Sequence, residues 1–162
     1  GWLHVGDGVP AAPPLYANLN DTDYGVNVAS DGSLIGYAWG ENVGWVNFDG
    51  GALATPADPA RIECDGRLNG YAWSENLGWI NLSLLEPGHF VAIEPSAIPT
   101  TCDVNDDGLT NGLDIDGMVS GILANEESWR NVCAGDLFPV PDGDGILTID
   151  DIPPFVECLL MM

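Results

Sequence analysis

The chain has 162 residues, enough for one ordinary domain or two small ones, and sets 25 Asp and Glu against 3 arginines and no lysine, a formal charge of −22. Such a field repels phosphate backbones and anionic bilayers, which excludes nucleic acid and membrane surfaces as partners, and no apolar run approaches the roughly 20 residues of a membrane helix. With 46% hydrophobic residues, 21 Gly and six Trp the sequence can bury a core, so disorder is excluded as well.

The sequence opens on Gly1, with no initiator Met and no charged-then-apolar leader, and reads as an exported product whose signal peptide has been removed, extracellular or on the cell surface. Gly1-Trp2-Leu3-His4-Val5 has the pattern of a strand, and Pro10, Pro13 and Pro14 follow as an extended spacer, so residues 1–14 form an N-terminal arm. This arm either closes its own sheet or reaches a neighbour. Asn20-Asp21-Thr22 and Asn81-Leu82-Ser83 are sequons that permit glycosylation.

Residues 15–94 read as a β domain built on a duplication. The stretch 31–48, DGSLIGYAWGENVGWVNF, returns at 65–82 as DGRLNGYAWSENLGWINL, an offset of 34. Large and small residues alternate, as on a strand with two unlike faces, and Asp31-Gly32 and Asp65-Gly66 are hairpin turns. Each copy is expected to be a three-stranded meander, and together they make a mainly β, sandwich-like domain. A two-residue turn at Glu41-Asn42 would set Trp39 opposite Gly44 and Trp45 opposite Ala38, with Trp73 over Gly78 and Trp79 over Ala72 repeating it. A slip of one residue would change which rings face inward. Core packing is the expected role of these rings, with a sugar-binding platform as the competing one. Glu41 and Glu75 are equivalent positions of one duplicated turn, which speaks against a pair of unlike catalytic carboxylates. The Gly-Tyr-Ala-Trp and Gly-Trp-Ile-Asn runs resemble short motifs of exported bacterial surface proteins, a resemblance that implies no defined activity. Gly1–Val5 matches the last strand of each copy, Gly44–Phe48 and Gly78–Leu82, without the strands before it.

After a linker at 95–101, residues 102–162 carry the strongest chemistry. Asp103, Asn105, Asp107, Leu109, Asn111 and Asp114 fall at places one, three, five, seven, nine and twelve of a calcium-loop pattern, with Gly108 at the turn. Asp103, Asn105, Asp107 and Asp114 would ligate through side-chain oxygens, Leu109 through its carbonyl, and Asn111 directly or through water. A second copy lies at an offset of 37: Asp142, Asp144, Ile146, Thr148 and Asp151 continue the pattern. Its first place falls on Val140, and Leu137-Phe138-Pro139-Val140-Pro141 reads as an insertion behind which Asp136 reaches back as the missing ligand. The following apolar positions Ile115, Met118, Val119, Ile122 and Leu123 correspond to Ile152, Phe155, Val156, Leu159 and Leu160 at helical spacing, and the two stripes are expected to pack together.

The duplicated loop-then-helix pattern over about 102–162 resembles a type I dockerin. The resemblance implies a small α module clamped by two calcium ions, able to dock on a cohesin-like partner. Four cysteines without a CxxC pair, beside two isolated histidines, favour two disulfides over zinc ligation. The local pairing is Cys133 with Cys158 and Cys64 with Cys102; the closeness of dockerin ends implies the alternative Cys102 with Cys158. No Ser/His/Asp set or reactive-cysteine pattern appears, so no enzyme is expected. Two functions compete. One is a calcium-stabilised structural subunit that polymerises with itself, by donating its N-terminal strand. The other is a carbohydrate-binding module recruited to a cohesin scaffold, with glycans as partners.

Overall fold

The computed structural model describes residues 1–7, 15–53, 57–83, 91–93, 99–124, 128–137 and 145–161. The chain divides into two units, Gly1–Ile93 and Glu94–Met162. The first is β and the second holds three short helices.

In the first unit the strands are β1 Gly6–Asp7, β2 Tyr24–Val28, β3 Leu34–Gly40, β4 Gly44–Asn47, β5 Arg61–Ile62, β6 Leu68–Asn69, β7 Tyr71–Ser74 and β8 Gly78–Asn81. Six form one sheet in the order β1-β2-β3-β4-β7-β8, and β5 pairs with β6 separately. Every strand pair in them is antiparallel. Both Asp-Gly turns form, although as three-residue loops: Ala29 N–H donates to Ser33 C=O, and Glu63 N–H to Arg67 C=O. Gly32 and Gly66 take the left-handed conformation, at φ +81° and +80°, while Asp31 and Asp65 accept the next-but-one N–H.

The first copy is the expected meander, β2-β3-β4. The second departs from it at Gly70. Gly36 and Gly70 are equivalent in the repeat, and both have positive φ, +101° and +84°. Each lies so close to a crossing backbone that a Cβ would stand 2.3 Å from the Gly25 carbonyl oxygen or 2.1 Å from that of Pro59. The glycine of the Gly-Tyr-Ala-Trp run is thus a kink that admits another chain segment. In the second copy the kink separates β6 from β7, and the β5–β6 hairpin leaves the main sheet.

The register differs from the expected one. Each Glu-Asn turn is a three-residue loop, 41–43 or 75–77, so Trp39 stands opposite Trp45, Ala38 opposite Val46 and Gly40 opposite Gly44. The second copy repeats this, with Trp73 opposite Trp79 and Ala72 opposite Ile80. The direct partners of the rings are therefore not Gly44, Ala38, Gly78 and Ala72, although the Trp73 ring still lies over Gly78, 3.9 Å from where a Cβ would stand. Ala38, Val46, Ala72 and Ser74 face the interior with Leu34, Phe48 and Ile62, while Tyr37, Trp45, Trp73 and Trp79 stand on the open face. They are not core. Edge-to-face contacts hold them instead, at 4.9 Å between Trp73 and Trp79 and 4.7 Å between Tyr24 and Trp45.

In the second unit α1 is Asp114–Ala124, α2 Trp129–Gly135 and α3 Ile152–Leu160. Helix α2 was not anticipated; its sequence signal is Ser128, which caps it by accepting the Asn131 N–H at 3.1 Å. A core of Cys102, Val104, Met118, Ala134, Leu147 and Phe155 joins the three helices. Gly121 of α1 and Gly135 of α2 are small because Leu147 lies against both. Only part of the expected stripe-to-stripe packing occurs. Met118 and Phe155 are buried with Ile122 and Leu159 against them, but Ile115, Val119 and Leu123, and their equivalents Ile152, Val156 and Leu160, are exposed. Helix α2, inserted between the copies, contributes Ala134 to that core.

Candidate strand-docking edge and metal centre

Residues 1–7 lie along the sheet by backbone bonds. His4 and Trp39 exchange N–H···O=C bonds of 2.7 and 2.9 Å, and Val26 N–H donates to Val5 C=O at 2.8 Å. Strand β2 covers only the first half of β3, pairing Val26–Val28 with Gly36–Leu34, and the arm covers the second half. Its side chains contribute little: Trp2 is 89% exposed, and Leu3 and Val5 are exposed too.

The docking repeats a contact made elsewhere in the sheet. His4 opposes Trp39 as Asn47 of β4 opposes Trp73 of β7, and in the repeat His4 aligns with Asn47 and Trp39 with Trp73. The loop contacts agree. A side chain at Gly1 would meet the Asn42 amide at 2.6 Å, and one at Gly44 would meet the equivalent Asn76 amide at 2.7 Å. The arm therefore sits on the first copy as the first copy's last strand sits on the second. Strand β8 is left as the far edge of the sheet.

The acidic loops lie in the second unit. Asp103 accepts N–H bonds from Asp107 and Gly108, at 3.0 and 2.9 Å, and Asp114 accepts them from Asn105 and Asn111, at 3.1 and 2.7 Å. Asn105 and Asp107 face each other at 3.0 Å, and Asn111 bonds the Leu109 carbonyl at 3.1 Å. Left-handed turns at Asp106 and Gly108 wrap this loop. The second loop follows the same plan. Gly145 N–H donates to Asp136 as Gly108 does to Asp103, and Asp151 accepts from Leu137 and Thr148 as Asp114 does from Asn105 and Asn111. Asp136 thus occupies the place of the loop's first residue, while Asp142 and Asp144 lie outside the described residues. Ile146 and Thr148 follow in the loop, Thr148 capping the turn into α3.

Three carboxylates here are almost wholly buried: Asp103 at 3% exposure, Asp114 at 0% and Asp151 at 1%. Buried charge of one sign is costly unless a cation or dense hydrogen bonding compensates it. The arginines engage more exposed acids: Arg61 pairs with Asp58 and Glu63, Arg67 with Asp65, and Arg130 with Asp106. The hard-oxygen donor set fits calcium. The carboxylates are turned to the loops' own amides, and among the described residues no three His, Cys, Asp or Glu side chains are gathered as a ready-made metal cluster.

The Cys102–Cys158 disulfide closes this unit, with Cα atoms 6.5 Å apart, and Cys64 and Cys133 are disulfide-bonded as well. The expected pairs Cys133–Cys158 and Cys64–Cys102 are thereby corrected. Helix α3 returns beside the start of the first loop, which sequence distance alone does not reveal.

Asn20 and Asn81 of the sequons are exposed, with Asn20 Oδ1 accepting from Thr22 N–H and Oγ1 and Asn81 Oδ1 from Ser83 N–H, although Leu82, the middle residue of the second sequon, is buried. Glu41 and Glu75 stand exposed in their separate loops. No described helix is long and apolar enough to cross a membrane. Compared with models of protein families, with curated proteins and with solved structures, the chain matches none.

Proposed function

We propose that the protein is a non-catalytic extracellular structural subunit that assembles into a filament or surface array by exchanging its N-terminal strand. The observation that carries this reading is the register match: the arm occupies on β3 the place that β4 occupies on β7. A strand that fills a half-open edge through backbone bonds, exposes its side chains and is tethered through a proline-rich spacer can fill the same edge on a neighbour at little cost. Two disulfide-bonded cysteine pairs suit an oxidising compartment outside the cell.

In the same reading the first unit is a sandwich-like domain and residues 102–162 a dockerin-like module. Calcium joins Asp103, Asn105, Asp107, Leu109, Asn111 and Asp114 in one loop and Asp136, Asp142, Asp144, Ile146, Thr148 and Asp151 in the other. The exposed, matching rows Ile115, Val119, Leu123 and Ile152, Val156, Leu160 are surface for a second copy or a cohesin-like partner. The alternative, a carbohydrate-binding module recruited by its dockerin, is favoured by the open-face rings.

Deletion of residues 1–9 tests the reading. The intact protein is expected to give high-mass polymers by light scattering and electron microscopy, and the truncated one a monomer that a synthetic Gly1–Asp7 peptide binds. An intact protein that stays monomeric across concentration, or a truncated one that still polymerises, would reject strand exchange.

A further inference from the structure

The open face of the sheet carries a cleft of about 590 Å³ that the assembly reading leaves unused. Tyr24, Tyr37, Trp45 and Trp73 line it, one from each of four consecutive strands, β2, β3, β4 and β7. At strand spacing of about 4.8 Å the row spans roughly 14 Å. Tyr37, Asn47 and Trp73 form one cross-strand line, each opposite the next. Tyr37, Trp45 and Trp73 are each between 37% and 43% exposed, whereas Tyr24 is buried at the inner end of the cleft.

Polar groups stand among the rings. Asn47 Oδ1 is fixed by the Asp49 N–H at 2.8 Å, while its amide NH2 makes no hydrogen bond among the described residues. Glu75 projects from the 75–77 loop as an exposed acceptor. No arginine lines the cleft, and Asp21 adds a second carboxylate.

We propose that this cleft binds a neutral glycan. A few polar groups set among aromatic faces can stack on the C–H faces of a sugar and hydrogen-bond its hydroxyls. Two carboxylates without a cation exclude uronates and sulfated sugars. Tyr24 and Tyr37 both meet Trp45 edge-to-face, at 4.7 and 6.3 Å, and Trp73 stands beyond them on the next strand, so the lining extends across the strands and offers room for more than one sugar unit, with choline as the control for a single ammonium group. The wall also supplies a tethered source. Asn20 of the sequon Asn20-Asp21-Thr22 lines the cleft, and a glycan joined to it would reach the rings at high effective concentration.

Full-length protein with unmodified Asn20 would be titrated with cellohexaose, xylohexaose, mannohexaose and chitohexaose, and with choline, by tryptophan fluorescence and calorimetry. In parallel, native material would be mapped for a glycan on Asn20 and its tryptophans compared before and after enzymatic removal. Binding of a free oligosaccharide, weakened at least about tenfold by Trp45→Ala or Trp73→Ala, about threefold by Glu75→Gln and not by Trp2→Ala, assigns the cleft to an external glycan. Glu75→Gln alters only an exposed loop side chain and so separates lost binding from lost folding. A native Asn20 glycan whose removal opens Trp45 and Trp73 to quencher assigns it to the tethered one. Neither result, or choline binding alone, overturns the proposal, and none of these outcomes depends on polymerisation.

Discussion

Replacing Cys102 and Cys158 together by alanine removes one crosslink and leaves the bonds of Cys64 and Cys133 intact, which chemical reduction would not. The two residues are 56 apart in sequence. Loop-closure entropy for a ring of that length gives about 4 kcal/mol of stabilisation through the unfolded state. Cys102 belongs to the buried core, so losing its sulfur adds about 1 kcal/mol. A small module has total stability near the low end of 5–15 kcal/mol, so the variant should sit close to its unfolding midpoint. With about 5 °C per kcal/mol for a unit of this size, its Tm should fall by roughly 25 °C. Thermal and urea unfolding followed by helical circular dichroism, at one fixed calcium concentration, measures this. A fall of less than about 5 °C would refute the view that closure of the module by this bond sustains it.

Two further predictions concern the loops and the kinks. If the proposed calcium is the counter-charge of buried Asp103, Asp114 and Asp151, excess chelator should melt the helices of residues 102–162 and leave the sheet folded; unchanged helical dichroism would contradict that proposal. In the same assay Asp114→Ala should lower calcium affinity more than Asn111→Ala, since the twelfth-place ligand is direct and the ninth often acts through water. Gly70→Ala should destabilise the β unit by at least about 2 kcal/mol, from left-handed strain plus collision with Pro59, whereas Gly112→Ala, with open space around it, should change unfolding midpoints negligibly.

The repeat, the Asp-Gly turns and the two acidic loops were legible because each depends on residue types at fixed spacing. Asp136 accepts from Gly145 as Asp103 does from Gly108, while the insertion expected behind it, from 138 onward, lies outside the described residues. What the pattern did not carry was the one-residue choice at Glu41 and Glu75. Two-residue and three-residue loops suit the same letters, yet the choice decides which face takes Trp45 and Trp79. Alternation alone names two faces without saying which is wet, and here the alanines and Val46 go inward. Helix α2 was missed because seven residues give too few turns for a periodic signal, leaving only its Ser128 cap. The Cys102–Cys158 bond is the alternative that the dockerin resemblance implies, but residue spacing alone does not select it, because it depends on where α3 returns.

The equivalence of the two strand-docking contacts means that nothing in the sheet counts its own units. A third 34-residue segment spliced between the copies would find both of its edges already prepared: a Gly-Tyr-Ala-Trp strand to receive Gly44–Asn47, and a closing strand to present to Tyr71–Ser74. The β unit is in this sense a cut length of ribbon, whose breadth is set by where the gene stops duplicating. Its two margins then differ in kind. One is dressed by the arm, and the other, β8, has no further strand paired to it among the described residues, a margin at which the chain's strong negative charge opposes accidental growth.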